Sequence, residues 1–204
     1  VLLLDCKNIS HEYFPLKLNG YKIVLLNSKV HHSLANGEYN IRRQRCEEGL
    51  TILKNSLQIN SFRDIESAAD IEPCKRIMTA KVYNCCKYVV EEILRTKKAA
   101  ALLQQNDLAG FGALMFETHE GLSQLYKVSC AELDFLVEQV AAGKNVIGAR
   151  MMGGGFGGCT INIVKEATVN NFIEQVSAAY KKQFNITMEA YVVETADGTD
   201  RINE

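Results

Sequence analysis

"ARMMGGGFGGCTINIV", residues 149–164, sets five glycines within the six positions 153–158, between two apolar stretches. Glycine loses more backbone entropy on folding than any other residue, so such a run implies left-handed torsions or a close approach of backbone. No G-K-[ST] follows it, which excludes a Walker phosphate loop. The chain re-enters a strand-like segment rather than opening a helix, which excludes a dinucleotide-binding fingerprint. Two readings remain open. The run is either a tight link between antiparallel strands, or a stretch of bare N–H groups that approaches an anion or another loop.

Working outward, "NVIGARMM" (145–152) reads as a strand and "CTINIV" (159–164) alternates as a strand should. Val169, Phe172, Ile173, Val176 and Tyr180 recur at helical spacing, and "MEAYVVE" (188–194) reads as a last strand. Leu133, Leu136, Val137 and Val140 predict a helix before the first of these strands, with Ser129 and Glu132 in capping-box register and Gly143 closing it. Helix, strand, glycine link, strand, helix, strand is the tail of a split β-α-β arrangement in an α+β fold.

Earlier in the chain, the sets Cys46, Leu50, Leu53, Leu57 and Val82, Cys86, Val89, Ile93 predict two helices, and Leu108, Phe111 and Met115 a third. "VLLLDC" (1–6) and "YKIVLLNS" (21–28) are β-like, and the change of character at "LANGE" (34–38) puts the expected boundary near residue 36. The expected units are therefore 1–36 and 37–204. A chain that opens inside a strand-like run without an initiator Met is expected to be part of a longer protein.

Composition narrows the function classes. A hydrophobic share of 47% with 23% charged residues is that of an ordinary globular domain, and a net charge of −1 offers nothing to attract nucleic acid or an anionic membrane. No apolar run approaches the length of a membrane span. The seven cysteines are scattered without a C-x-x-C pair, which argues against a disulfide framework or a zinc site and for a cytoplasmic protein.

Four further segments accompany the glycine run: "DCKNISHEYFPL" (5–16), "NSKVHHSLANGEYNIRRQRCEE" (27–48), "THEGLSQLYKVSCAELD" (118–134) and "YVVETADG" (191–198). Together, in this order, they resemble galactokinases of the GHMP small-molecule kinase family, and "GARMMGGGFGGCTINIV" resembles that family's third signature motif. The resemblance covers essentially the whole chain. "THEGLSQLYKVSC" differs from the commoner Ser-His-x-Ser-Leu-Arg-x-x-Tyr form, which leaves the role of Gln124 and its neighbours open.

The resemblance implies a GHMP-kinase C-terminal domain, with helices packed on a small, mostly antiparallel sheet and a β remnant of the N-terminal domain at its start. It implies transfer of the ATP γ-phosphoryl group to the C1 hydroxyl of α-D-galactose, with ATP and Mg2+ as cofactors and the N-terminal domain as partner. The family's catalytic Arg and Asp, its phosphate loop and its Mg2+ ligands lie on motifs that would precede Val1. One sugar contact carries over: the family's tyrosine matches Tyr39 in "NGEYNIRR". Gly153, Gly154 and Gly155 are the expected loop beside the nucleotide and sugar, with positive φ expected at Gly154. Two alternative readings stay open: another GHMP sugar-1-kinase, for N-acetylgalactosamine or arabinose, which could share most of these segments, and a galactose- and ATP-binding regulator without catalysis.

Other candidates carry less. His31 and His32, adjacent on a strand, would point to opposite faces. Arg42, Arg43 and Arg45 offer a phosphate site or, with Glu47 and Glu48 nearby, a solvated helix face. His119 reads as a helix-end residue without assigned chemistry. Cys159 is a strand residue, reactive only if its thiol pKa is lowered.

Overall fold

The computed structural model describes residues 1–30 and 35–196. Its centre is a four-stranded antiparallel sheet in the order β4-β5-β3-β6, built from β3 (Tyr21–Asn27), β4 (Val146–Met151), β5 (Cys159–Lys165) and β6 (Glu189–Val193). The expected strands all form. β3 runs in register against β5 from Tyr21↔Lys165 to Asn27↔Cys159, and against β6 on its other side. The residues assigned to a separate β unit therefore include a central strand of the C-terminal sheet. The boundary at residue 36 marks a change from strand to helix and does not part the sheet.

One face of the sheet is closed by α4 (Ala131–Ala141) and α5 (Val169–Phe184). Their apolar stripes bury Leu136, Val140, Phe172, Val176 and Tyr180 against Val24, Leu26 and Val164. Burying side chains of this size stabilises the fold by roughly 1.5–3 kcal/mol each, before conformational entropy is subtracted. Two buried donors inside this core find acceptors, while Asn162 Oδ1 is buried without a partner among the described residues. Asn162 Nδ2 donates to Val24 O at 3.0 Å, and Tyr180 Oη donates to Ser28 O at 2.9 Å.

β4 is an edge strand, and α3 (Leu108–Glu120) covers it. The cover is close because glycine faces glycine: a Cβ on Gly148 would stand 2.5 Å from Gly112 Cα. A second core joins α1 (Ala35–Ser56) and α2 (Ala80–Gln104) through Leu53, Ile71, Val82, Cys86 and Val90, with the 3-10 segments Phe62–Asp64 and Ala68–Ile77 packed beside them. The hairpin of β1 (Leu2–Asp5) and β2 (Ser10–Tyr13) forms its own two-stranded sheet. Asp5 accepts from both terminal nitrogens of Arg63 at 2.6 Å, tying this hairpin to the helical layer.

Two local expectations change. The N-cap of α4 is Cys130, and no side-chain cap bond forms there, so the Ser129–Glu132 capping box is absent. α3 passes without a break into a π-helical turn, Gly121–Tyr126, which ends at Lys127 in the left-handed region (φ 56°). A π turn has no distinctive residue periodicity, and such turns cluster at functional sites.

Candidate functional site

The glycine run links β4 to β5, and its torsions explain its composition. Gly153, Gly155, Gly157 and Gly158 have φ of 73°, 87°, 138° and 85°, and Phe156 is left-handed as well at 58°. Gly154 is not among them, so its expected left-handed torsion is absent. Its requirement is steric: a Cβ there would overlap the Tyr39 hydroxyl and stand 2.9 Å from the ring at Cε2. Tyr39, near the start of α1, thus packs edge-on against the glycine loop and remains 46% exposed. The two features carried over from the resemblance, more than a hundred positions apart in sequence, meet in space.

Three further elements hold the loop. Phe156 N donates to Val128 O at 2.7 Å, and Gly155 lies so close to the same carbonyl that a Cβ would collide with it. Gly158 N donates to Val30 O at 3.1 Å, while Ser28 gives both its N–H (2.9 Å) and its Oγ (2.8 Å) to Gly158 O. Ser28 is fixed in turn by Tyr180 from α5. At Gly153 and Gly158 the space where a Cβ would point is open.

Arg42 organises the opposite wall. It lies one turn after Tyr39, is 6% exposed, and is no solvated surface charge. Its Nε donates to Tyr126 O at 2.9 Å and its Nη2 to Lys127 O at 2.6 Å, satisfying the last carbonyls of the π turn. Glu38 pairs with its Nη1, and the guanidinium lies 5.9 Å from the centroid of Phe156. With its donors engaged by protein groups, Arg42 is a clamp between α1, the π turn and the glycine loop. Arg43 does lie on the exposed face, paired with Glu47 at 2.8 Å, whereas Arg45 is half-buried. Adjacent arginines in a sequence carry no signal of which one turns inward; a helical-wheel placement of Arg42 one turn from Tyr39 was the usable clue.

His119, at the end of α3, is 6% exposed and accepts the Met151 N–H at Nδ1 (3.1 Å). Its Nε2 approaches Asp134 Oδ1 at 3.2 Å, a close contact without the alignment of a good hydrogen bond. Asp134 also accepts from Ser123 Oγ at 2.9 Å, and Gln124 Nε2 donates to Ser123 Oγ at 3.0 Å. Burial raises the Asp134 pKa, but the groups around it (His119, Ser129 and Ser123) outweigh that and hold it below the ordinary value. Burial pushes the Cys159 thiol up, and pushes Cys46 and Cys130 up to about 11, so these thiols are poor nucleophiles.

His31 and His32 lie outside the described residues. Among the described residues no group of three His, Cys, Asp or Glu side chains is placed to hold a metal ion. Nor, among them, is any helix long and apolar enough to cross a membrane. A cleft of about 730 Å³ opens between α2, α3, the π turn and α4, with His119 and Asp134 in its wall, on elements that do not include the glycine loop or Tyr39.

Residues 99–182 match the family model described as the GHMP kinases C-terminal domain. The chain is 41% identical over 203 residues to a galactokinase of Clostridium acetobutylicum, covering 99% of this chain and 52% of that protein. It is 38% identical over 201 residues to a galactokinase of Thermotoga maritima (98% and 55%) and 36% identical over 198 residues to one of Bos taurus (97% and 48%). The chain therefore spans about half the length of the curated relatives it matches. The crystal structure of Lactococcus lactis galactokinase complexed with galactose superposes with a TM-score of 0.92 at 29% identity, over 98% of this chain and 52% of that one. An L. major mevalonate kinase, at 18% identity and a TM-score of 0.57, shares the fold. The chain carries a GHMP kinases C-terminal domain over residues 99–182 and is similar along almost its whole length to galactokinases.

Proposed function

We propose that this chain is the C-terminal part of a galactokinase that moves the ATP γ-phosphoryl group to the C1 hydroxyl of α-D-galactose, giving galactose 1-phosphate and ADP. The observation that carries this reading is the contact of Tyr39 with Gly154: the residue expected to bind sugar lies against the loop expected to border the nucleotide. Phosphoryl transfer rests on positioning and charge stabilisation, and this half supplies positioning. A phenol offers one donor/acceptor group on a rigid ring with little entropy to lose. The open space above Gly153 and Gly158 lets a polar ligand approach bare backbone. These positions fit a border to bound ATP. They do not fit Mg2+, because no suitable donor set lies among the described residues. The resemblance assigns the metal ligands, the catalytic Arg and Asp and the phosphate loop to motifs that would precede Val1.

The test is direct. The intact protein, given galactose and Mg-ATP, should form galactose 1-phosphate stoichiometrically with ADP, whereas residues 1–204 alone should form none above background. Turnover with N-acetylgalactosamine or arabinose in place of galactose would reassign the substrate. Sugar and ATP binding without turnover would make the intact protein a regulator, and catalysis by residues 1–204 alone would overturn the division of labour.

A further inference from the structure

We propose that His119 is a positioning residue for the glycine loop, fixing the point at which the loop leaves β4. Met152 N donates across to Cys159 O at 3.0 Å, so the neighbouring Met151 N–H points the other way, off the open edge of the sheet. Met151 is 1% exposed, and water cannot serve a donor buried there. The acceptor is the Nδ1 of His119. An accepting Nδ1 carries no proton, so the ring proton resides on Nε2, the atom that faces Asp134 at 3.2 Å. The carboxylate, close but not aligned as a good hydrogen-bond acceptor, places negative charge beside Nε2 and so favours the tautomer that leaves Nδ1 free to accept. Asp134 is itself held by Ser123 of the π turn, so one chain of contacts joins α4, the π turn, α3 and β4. Two residues beyond Met151 begin the left-handed torsions of the loop that Tyr39 touches. Lateral freedom at Met151 would move Gly153 to Gly155 relative to Tyr39.

The kinetic part of this inference rests on the galactokinase reading; the structural part does not. Two substitutions separate the nitrogens of His119. His119→Asn can place its Oδ1 near the position of Nδ1 and keep the acceptor for Met151. His119→Gln carries its amide to the place of Nε2, facing Asp134, and leaves the Met151 N–H buried without a partner. In the intact protein, His119→Gln is expected to speed hydrogen exchange at the Met151 amide by about tenfold or more, with Val164 in the adjoining strand as an unaffected reference. It should also lower kcat/KM for galactose by about tenfold, an effect of mispositioning. His119→Asn should restore most of both. Equal losses in Asn and Gln, tracking thermal stability with unchanged Met151 exchange, would reduce His119 to ordinary packing and overturn the proposal. If the Gln variant does not fold, Asp134→Ala frees the imidazole to turn, and exchange at Met151 should rise while Val164 stays as before; no rise overturns the proposal too. A wild-type protein inactive on galactose would defeat the functional reading, and the exchange result would still decide the role of His119.

Discussion

Tyr39 reaches the glycine loop with its polar edge, and the two partners make separable demands. Tyr39→Phe keeps the ring against Gly154 and deletes one hydroxyl. If that hydroxyl binds the sugar, the loss is about 0.5–1.5 kcal/mol, or several-fold to about tenfold in kcat/KM for galactose, with KM for ATP unmoved. A tyrosine needed only for packing would leave kinetics near wild type. Gly154→Val works from the other side. Its φ is permissive, so the damage comes from overlap with the Tyr39 ring, and α1 or the loop must shift. Overpacking of this kind costs about 1–3 kcal/mol and should lower the melting temperature together with galactose affinity. The double variant Tyr39→Ala, Gly154→Val should recover stability relative to Gly154→Val alone, and a failure to recover would place the clash elsewhere. The glycine loop and Tyr39 were legible in the sequence because the family motif names them. The reason for Gly154 was not, since a torsion and a clash leave the same letter. Burial of Arg42 was equally hidden, because only the fold reveals the carbonyls it serves.

At the level of elements, strands and amphipathic helices followed from their periods of two and 3.6, and each expected one forms where its apolar residues recur. What periodicity does not encode is how closely two elements approach. α3 reaches β4 through Gly112 and Gly148, whose missing side chains let backbone meet backbone at the bulge in the β4–β5 pairing. Gly112→Ala sets two effects against each other. Alanine favours an exposed helix interior by about 1 kcal/mol over glycine. Here its Cβ would collide with Ile147 O and stand 3.1 Å from Gly148 N, backbone that cannot yield cheaply. Overpacking wins on these magnitudes, so net destabilisation of about 1–2 kcal/mol is expected in denaturant unfolding. A stabilised variant would mean that α3 can lift off β4 freely. The π turn after α3 eluded sequence reading for a related cause. Its extra residue per turn is imposed by packing, with Arg42 holding its terminal carbonyls from another helix.

Across the whole molecule, the sheet unites segments that the sequence separates by more than a hundred residues, since β3 sits between β5 and β6. A drop in β character near residue 36 is visible locally, whereas a strand inserted between two distant partners is a long-range pairing that no local pattern reports. The β1–β2 hairpin differs: among the described residues its strands pair only with each other, and an apolar groove containing Leu3, Leu4, Tyr88 and Ile93 lies between it and α2. Its polar tether is Asp5. The Arg63 guanidinium, and then the Lys7 N–H, hold the Asp5 carboxyl well below the ordinary carboxylate range. A carboxylate whose folded pKa is depressed contributes stability that is present above the unfolded value near 4 and lost as pH falls through the folded value. The tether should therefore be unchanged from pH 7 to about 4 and weaken only below that. Followed by NMR, the Asp5 carboxyl should titrate well under pH 3.9, and the amide shifts of Leu3 and Leu4 should move with it. Asp5→Asn should show the loosened hairpin shifts already at pH 7, with the four-stranded sheet undisturbed. An Asp5 titration midpoint near the ordinary value, with hairpin shifts indifferent to it, would show that solvent screens the pair and that apolar contact with α2 alone holds the hairpin.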